Sequence, residues 1–124
     1  MIPLELGFGR HLRLRKRRHF LRTQRRGQRI NAGRVFLFMA DHRGPNRRFG
    51  FTVSKKVGCA VVRNRVRRKL KEIVRLNRQA FPEKRCYVII AHPDAADADY
   101  QTLYQDMMLA AEQAKRLMAN KRMK

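Results

Sequence analysis

One segment limits the possible folds more than any other. Between Gly58 and Pro82, the apolar residues Val62, Val66, Leu70, Ile73 and Val74 recur at spacings of three and four. This period predicts an amphipathic helix over about Ala60 to Asn77, roughly 25 Å long at about 1.5 Å per residue. Opposite the stripe, Arg63, Arg67, Lys71 and Arg75 form an i, i+4 ladder flanked by Arg65, Arg68 and Lys69, with Glu72 the only nearby acid. Like charges at this spacing each cost about 0.2–0.5 kcal/mol in an isolated helix, so the ladder opposes the helix that carries it. A polyanion laid along that side reverses the sign. Arginine forks match phosphate oxygens bidentately, and Asn64 between two arginines adds an amide that donates and accepts. The alternative is a basic face that serves only to solubilise.

The remaining elements arrange themselves around this helix. RVFLFMA (34–40) reads as a strand with Phe36 and Phe38 on one face and Val35, Leu37 and Met39 on the other. DHRGPN supplies a turn, after which Phe49, Phe51 and Val53 alternate with Gly50 and Thr52, so the two strands are expected to pair as a hairpin. CYVIIA (86–91) is too short for a helix and reads as a buried strand. A last helix is expected from about Tyr100 to Ala119, with Leu103, Met107, Ala110, Ala114 and Leu117 inward. Arg17 to Arg26, around Phe20 and Leu21, forms a short helix stopped by Gly27. The order predicts an α/β sandwich built on one sheet. With 124 residues the chain suits a single domain, 1–124, carrying a basic arm (about 1–15) and a short polar tail (about 120–124).

Charge narrows the function. The net charge is +22, and residues 1–82 hold 24 basic and 3 acidic groups against 7 and 6 in residues 83–124. A surface of that kind attracts polyanions. No apolar run reaches the roughly 18 residues needed to cross a bilayer, and the start MIPLELGFGR lacks the regions of a secretory signal. The acid-free, Arg-rich segment that follows shares features with a mitochondrial transit peptide but lacks its serines and amphipathic period. A cytoplasmic chain is expected, with Cys59 and Cys86 reduced rather than bridged.

Ser54, Lys55 and Lys56 fall where a strand ends and the central helix begins, a place that favours an anion. Neither GxxxxGK[ST] nor GxGxxG occurs, so this is not a nucleotide-binding loop. Phe20, Phe36, Phe38, Phe49 and Phe51 could supply a stacking platform for unpaired bases, although any one strand phenylalanine is more at home in a core. Catalytic signals are poor. His11, His19, His42 and His92 lack ligand spacing, and Ser54 is the sole serine. Asp94, Asp97 and Asp99 precede the last helix, where acids cap free amides. No protein-built catalytic or metal site is expected.

FGFTVSKKVGCAVVRNRVRRKLKE (49–72) resembles the signature of the bacterial ribonuclease P protein component: a strand ending in VSKK, a glycine, then the RNR helix. Weaker similarity runs back through RKRRHFLR (15–22) and forward through YVIIAHP (87–93). The resemblance implies an α+β, two-layer sandwich with one mixed sheet of about four strands, three helices and a left-handed βαβ crossover (ribosomal protein S5 domain 2-like). It implies a protein subunit that assists RNA-catalysed removal of the 5′ leader from precursor tRNA. Magnesium is then held mainly by the RNA. The implied partners are the catalytic RNA and precursor tRNA, with no membrane and no protein partner. The resemblance assigns Arg63, Asn64, Arg65, Arg67, Arg68 and Lys71 to the catalytic RNA. It assigns Phe20, an aromatic of the Phe36 to Phe38 strand, and Ser54, Lys55 and Lys56 to a cleft for the single-stranded leader. Cys59, Gln24 and His92 depart from the family pattern. A structural RNA-binding protein of the ribosome is the alternative reading, and a nuclease acting without RNA is a third.

Overall fold

A computed structural model of the chain describes residues 17–41 and 47–122. The expected basic arm, the DHRGPN turn residues 42–46 and the last residues of the tail lie outside the described residues. The order is α1 (Arg17–Arg26), β1 (Gln28–Ala32), β2 (Val35–Asp41), β3 (Arg48–Thr52), α2 (Ala60–Asn77), β4 (Arg85–Ala91) and α3 (Tyr100–Arg122). Short 3-10 turns at Arg78–Ala80 and Pro93–Asp97 enter and leave β4.

The four strands form one mixed sheet in the order β1-β2-β4-β3. β1 pairs antiparallel with β2, β2 antiparallel with β4, and β3 parallel with β4. The parallel pair is joined through α2, which makes β3-α2-β4 the crossover unit. The hairpin expected between β2 and β3 does not form, because β4 lies between them. Burial explains this outcome: β4 is apolar on both faces, with Cys86, Tyr87, Val88 and Ile89 all buried, and only an interior position covers it on both sides. A different hairpin is present, β1 to β2, closed by Gly33 and Arg34. Gly33 has φ +60°, the conformation that a two-residue turn with glycine first requires.

Strand alternation gives the sheet two unlike faces. On one, Ile30, Leu37, Phe49, Tyr87 and Ile89 are buried beneath the inner stripes of α2 (Val66, Leu70, Ile73, Val74) and α3 (Leu103, Met107, Ala110, Ala114). Phe49 and Tyr87 stack at 5.1 Å, and Phe81 closes on both edge-on. The other face is only partly covered. Phe20 of α1 and Ile90 of β4 pack there against Cys86 and Val88.

α3 extends to Arg122, into the segment read as a polar tail, because Ala119, Lys121 and Arg122 are good helix formers with no glycine or proline to stop them. Asp99 caps its start, its carboxylate accepting from the Thr102 N–H at 2.8 Å. Cys59 and Cys86 are both free thiols, one exposed and one buried. Among the described residues, no helix is long and apolar enough to cross a membrane.

Candidate nucleic-acid interface

Two cationic surfaces meet at one end of the sheet. The first is the outer side of α2, whose inward stripe leaves the ladder facing away from the core. Asn64, Arg65 and Arg68 are exposed, while Arg63, Arg67 and Lys71 are half-buried. Asn64, Arg67, Arg68, Lys71, Glu72 and Arg75 line a surface recess of 430 Å³. The Arg67 guanidinium donates to the Asn64 side-chain oxygen at 2.9 Å. Arg75 pairs with Glu72, its Nε donating to the carboxylate at 3.1 Å. Lys69 turns aside and donates to the Ala98 carbonyl at 3.0 Å, which ties α2 to the approach of α3. The other acids of the ion pairs, Asp41, Glu83, Asp106 and Glu112, pair with Arg85, Arg47, Arg34 and Arg116, none of them on α2.

The second surface is the open sheet face. Phe36 and Phe38 lie on it as expected, half-exposed and edge-on to each other at 6.1 Å. Their cross-strand neighbours on β4 are Ile90 and Val88. Phe49 and Phe51 pack instead on the core side, so neither joins the platform. Phe20 overhangs one end from α1. Cations surround the face: the Arg29 guanidinium lies 4.5 Å from the Phe36 ring centre, and Arg22 and Arg48 both act electrostatically on the Cys86 thiol. That thiol is nevertheless pushed up, because burial outweighs them.

The turn after β3 joins the two surfaces. Ser54, Lys55 and Lys56 are exposed, and the Lys56 N–H donates to the Ser54 hydroxyl at 3.3 Å. Thr52 pairs with Ile90 in the parallel register, so Ser54 and His92 come out at the same end of the sheet, beside the start of α2. Cys59 occupies the N-cap of α2, where the Val62 and Val61 N–H groups hold its thiol below the ordinary value, with Arg63 adding to the effect.

The structure thus brings the predicted residues into two adjoining groups: Phe20, Phe36 and Phe38 on one face, and Arg63 to Lys71 on the outer side of α2, with Ser54 to Lys56 between them. Arg29, Arg48 and His92 were not singled out from the sequence as site residues. Arg29 and Arg48 belong to the face only through strand pairing, and the lone signal was their parity with the phenylalanines once the register is known. Chemically, the arrangement offers cations for phosphates, aromatic edges and faces for unpaired bases, and no acid–base pair. Among the described residues, no group of three or more His, Cys, Asp or Glu side chains could hold a metal ion.

Comparison with known proteins shows what the chain is similar to. A sequence model of the family described as Ribonuclease P matches residues 8–115. A ribonuclease P protein component from Pelotomaculum thermopropionicum is 34% identical over 101 residues, covering 82% of this chain and 90% of that one. One from Brucella melitensis is 42% identical over 108 residues, covering 77% and 74%. Among solved structures, the RNase P protein of Thermotoga maritima superposes with a TM-score of 0.74 at 26% identity, covering 84% of this chain and 96% of that one. The Staphylococcus aureus RNase P protein gives 0.77 at 23% identity, covering 83% and 94%, a likeness of fold.

Proposed function

The chain belongs to the ribonuclease P protein family, and from that membership we propose that it binds the catalytic RNA along α2 and the single-stranded 5′ leader of precursor tRNA along the open sheet face. As a ribonuclease P protein component it is part of an endoribonuclease ribonucleoprotein of tRNA processing, and its partner is the ribonuclease P RNA. The finer assignments are our reading. Arg63, Asn64, Arg65, Arg67, Arg68 and Lys71 contact the catalytic RNA. Phe20, Phe36, Phe38, Ser54, Lys55 and Lys56 receive the leader. The site is cytoplasmic.

The single observation that carries the reading is the outward charge of Arg65 and Arg68 on α2, which are exposed and appear in no ion pair among the described residues. Helix cations placed for solubility are normally interleaved with acids. Here ribose-phosphate chains supply the missing negative charge and relieve the repulsion of the ladder.

Our reading assigns the chemistry to the RNA. Among the described residues no group of three or more His, Cys, Asp or Glu side chains fits a magnesium ion, and Asp99 is engaged in a cap while Asp41, Glu83, Asp106 and Glu112 are engaged in ion pairs. On this reading magnesium would be held mainly by the RNA, where it would supply Lewis-acid stabilisation of phosphodiester hydrolysis. The protein's residues bind and orient. Positive charge beside a folded RNA lowers the magnesium that the RNA requires, and contacts to the leader raise affinity for precursor over mature tRNA.

The test is reconstitution. Precursor tRNA is incubated with protein alone, RNA alone and both, at limiting magnesium. Cleavage raised only in the mixture supports the reading. No effect of the protein supports a purely structural RNA-binding role, and cleavage by purified protein alone supports a protein nuclease.

A further inference from the structure

Where α2 meets the start of α3, an aromatic stands at the rim of the cationic recess. Tyr100, the first residue of α3, is 37% exposed, whereas the other described phenylalanines and tyrosines are buried or half-buried. We infer that the Tyr100 ring is a stacking surface for one unpaired base of the ribonuclease P RNA, which carries the docking surface past α2 onto α3. This rests on the reading that the RNA lies along α2.

Three observations converge. The first is placement. Lys69 donates to the Ala98 carbonyl at 3.0 Å, which brings the start of α3 against one flank of α2, and Tyr100 lies close enough to Arg75 to act on it electrostatically. Arg75 and Glu72 line the recess, so an RNA strand that follows the ladder from Arg63 to Arg75 runs about 18 Å along α2 and ends beside the ring. The second is how the three tyrosines differ. Tyr87 is buried, its hydroxyl donating to the Pro82 carbonyl at 2.6 Å, and Tyr104 packs against the core, whereas Tyr100 joins neither apolar cluster of the described residues. Leu76, 49% exposed, follows Lys69 by seven residues and so shares the flank of α2 that faces the start of α3. Apolar surface beside cations suits a nucleotide, whose base stacks while its phosphate meets the arginines. The third is rigidity. The Asp99 carboxylate accepts from the Thr102 N–H at 2.8 Å, the Leu103 N–H donates to the Asp99 carbonyl at 3.2 Å, and the Lys69 bond holds Ala98. A ring displayed from a fixed backbone loses little freedom when a base settles on it. The bland alternative is a side chain that only covers the seam between α2 and α3.

The experiment titrates ribonuclease P RNA with the full chain, with Tyr100→Ala and with Tyr100→Phe at several salt concentrations, and probes each complex by 2′-hydroxyl acylation. Tyr100→Ala is expected to bind about fivefold or more weaker. The slope of log K against log salt stays that of the parent, because a stacked base neutralises no phosphate. Tyr100→Phe keeps the ring and binds like the parent. One unpaired nucleotide of the RNA, unreactive in complexes with the parent and with Tyr100→Phe, becomes reactive with Tyr100→Ala. A Tyr100→Ala that binds like the parent, a Tyr100→Phe that loses as much as Tyr100→Ala, or a loss that comes with a shallower salt slope overturns the inference. If the parent's own binding is insensitive to salt, the docking reading of α2 falls first, and this inference with it; a steep slope in the parent beside an indifferent Tyr100→Ala sinks this inference alone.

Discussion

Asn64 and Arg67 are joined across one turn of α2, the amide oxygen accepting from the guanidinium at 2.9 Å. The partner is neutral, so the arginine is aimed without losing its charge, and its remaining N–H groups stay available for an acceptor outside the protein. Asn64→Ala is expected to weaken binding of the catalytic RNA by about 2- to 10-fold, the range of one net hydrogen bond. The melting temperature should hardly move, since Asn64 is exposed. Asn64→Asp places a carboxylate among the arginines and should weaken binding further. Titration of labelled RNA with each variant gives the comparison, and an Asn64→Ala that binds like the parent would remove the amide from the interface.

The β1–β2 turn rests against α3. The Asp106 carboxylate accepts from the Arg34 N–H at 3.0 Å, and a Cβ on Gly33 would lie 2.5 Å from the same carboxylate. Gly33→Ala should therefore cost at least about 1 kcal/mol from its positive φ alone, plus the clash. Asp106→Ala should cost about 1–3 kcal/mol by leaving that N–H without its acceptor. The double variant should lose less than the sum, because removing the carboxylate removes the clash. Urea midpoints of the four proteins test this; strict additivity would contradict the contact.

The two thiols should titrate in opposite directions. Cys59 is exposed, and the N–H groups of Val62 and Val61 favour its thiolate. Cys86 is buried and held protonated by desolvation. In native protein, iodoacetamide should modify Cys59 rapidly, with a pH midpoint below that of a free thiol, and should reach Cys86 only after unfolding. The linkage signs follow. The Cys59 contribution to stability is present above its unfolded pKa and lost as pH falls through the folded value. The Cys86 contribution is present below its unfolded pKa and lost as pH rises through the folded one. Peptide mapping of the alkylated protein across pH decides the order, and equal rates would contradict it.

Phe20 reaches the open face from α1, where it packs on Cys86 and Val88. On the proposed reading, Phe20→Ala should reduce holoenzyme affinity for leader-bearing precursor about fivefold or more while leaving mature tRNA little changed. Equal losses on both substrates would remove Phe20 from the leader site.

How far the sequence could be read depended on how local each signal was. α2 falls at Ala60–Asn77, as its period predicts, because one stripe and one cationic face are both set within the segment. The partition of Phe36 and Phe38 from Val35, Leu37 and Met39 follows from strand parity and holds in the same way. Pairing is not local. The connection from β2 to β3 suggested adjacency, yet β4 from much later in the chain takes the place between them, driven by its apolar faces. β1 went unread because QRINA has two apolar residues in a basic run and becomes a strand by pairing with β2. Arg29 and His92 come to the phenylalanines through that same register, and no spacing in the sequence marks them. Lys69 shows the limit within a well-read element: its place on the cationic side is legible, but its bond to the Ala98 carbonyl depends on where α3 begins.

Salt dependence of catalytic-RNA binding tests the docking role of α2 most directly. For the unsubstituted protein, log K should fall steeply with log salt, each neutralised phosphate contributing about −0.7 to −0.9 to the slope. Replacing Arg65 and Arg68 together by alanine should make the slope shallower by about 1.4 to 1.8. A flat dependence in the parent, or a double variant whose slope matches the parent's, would contradict it.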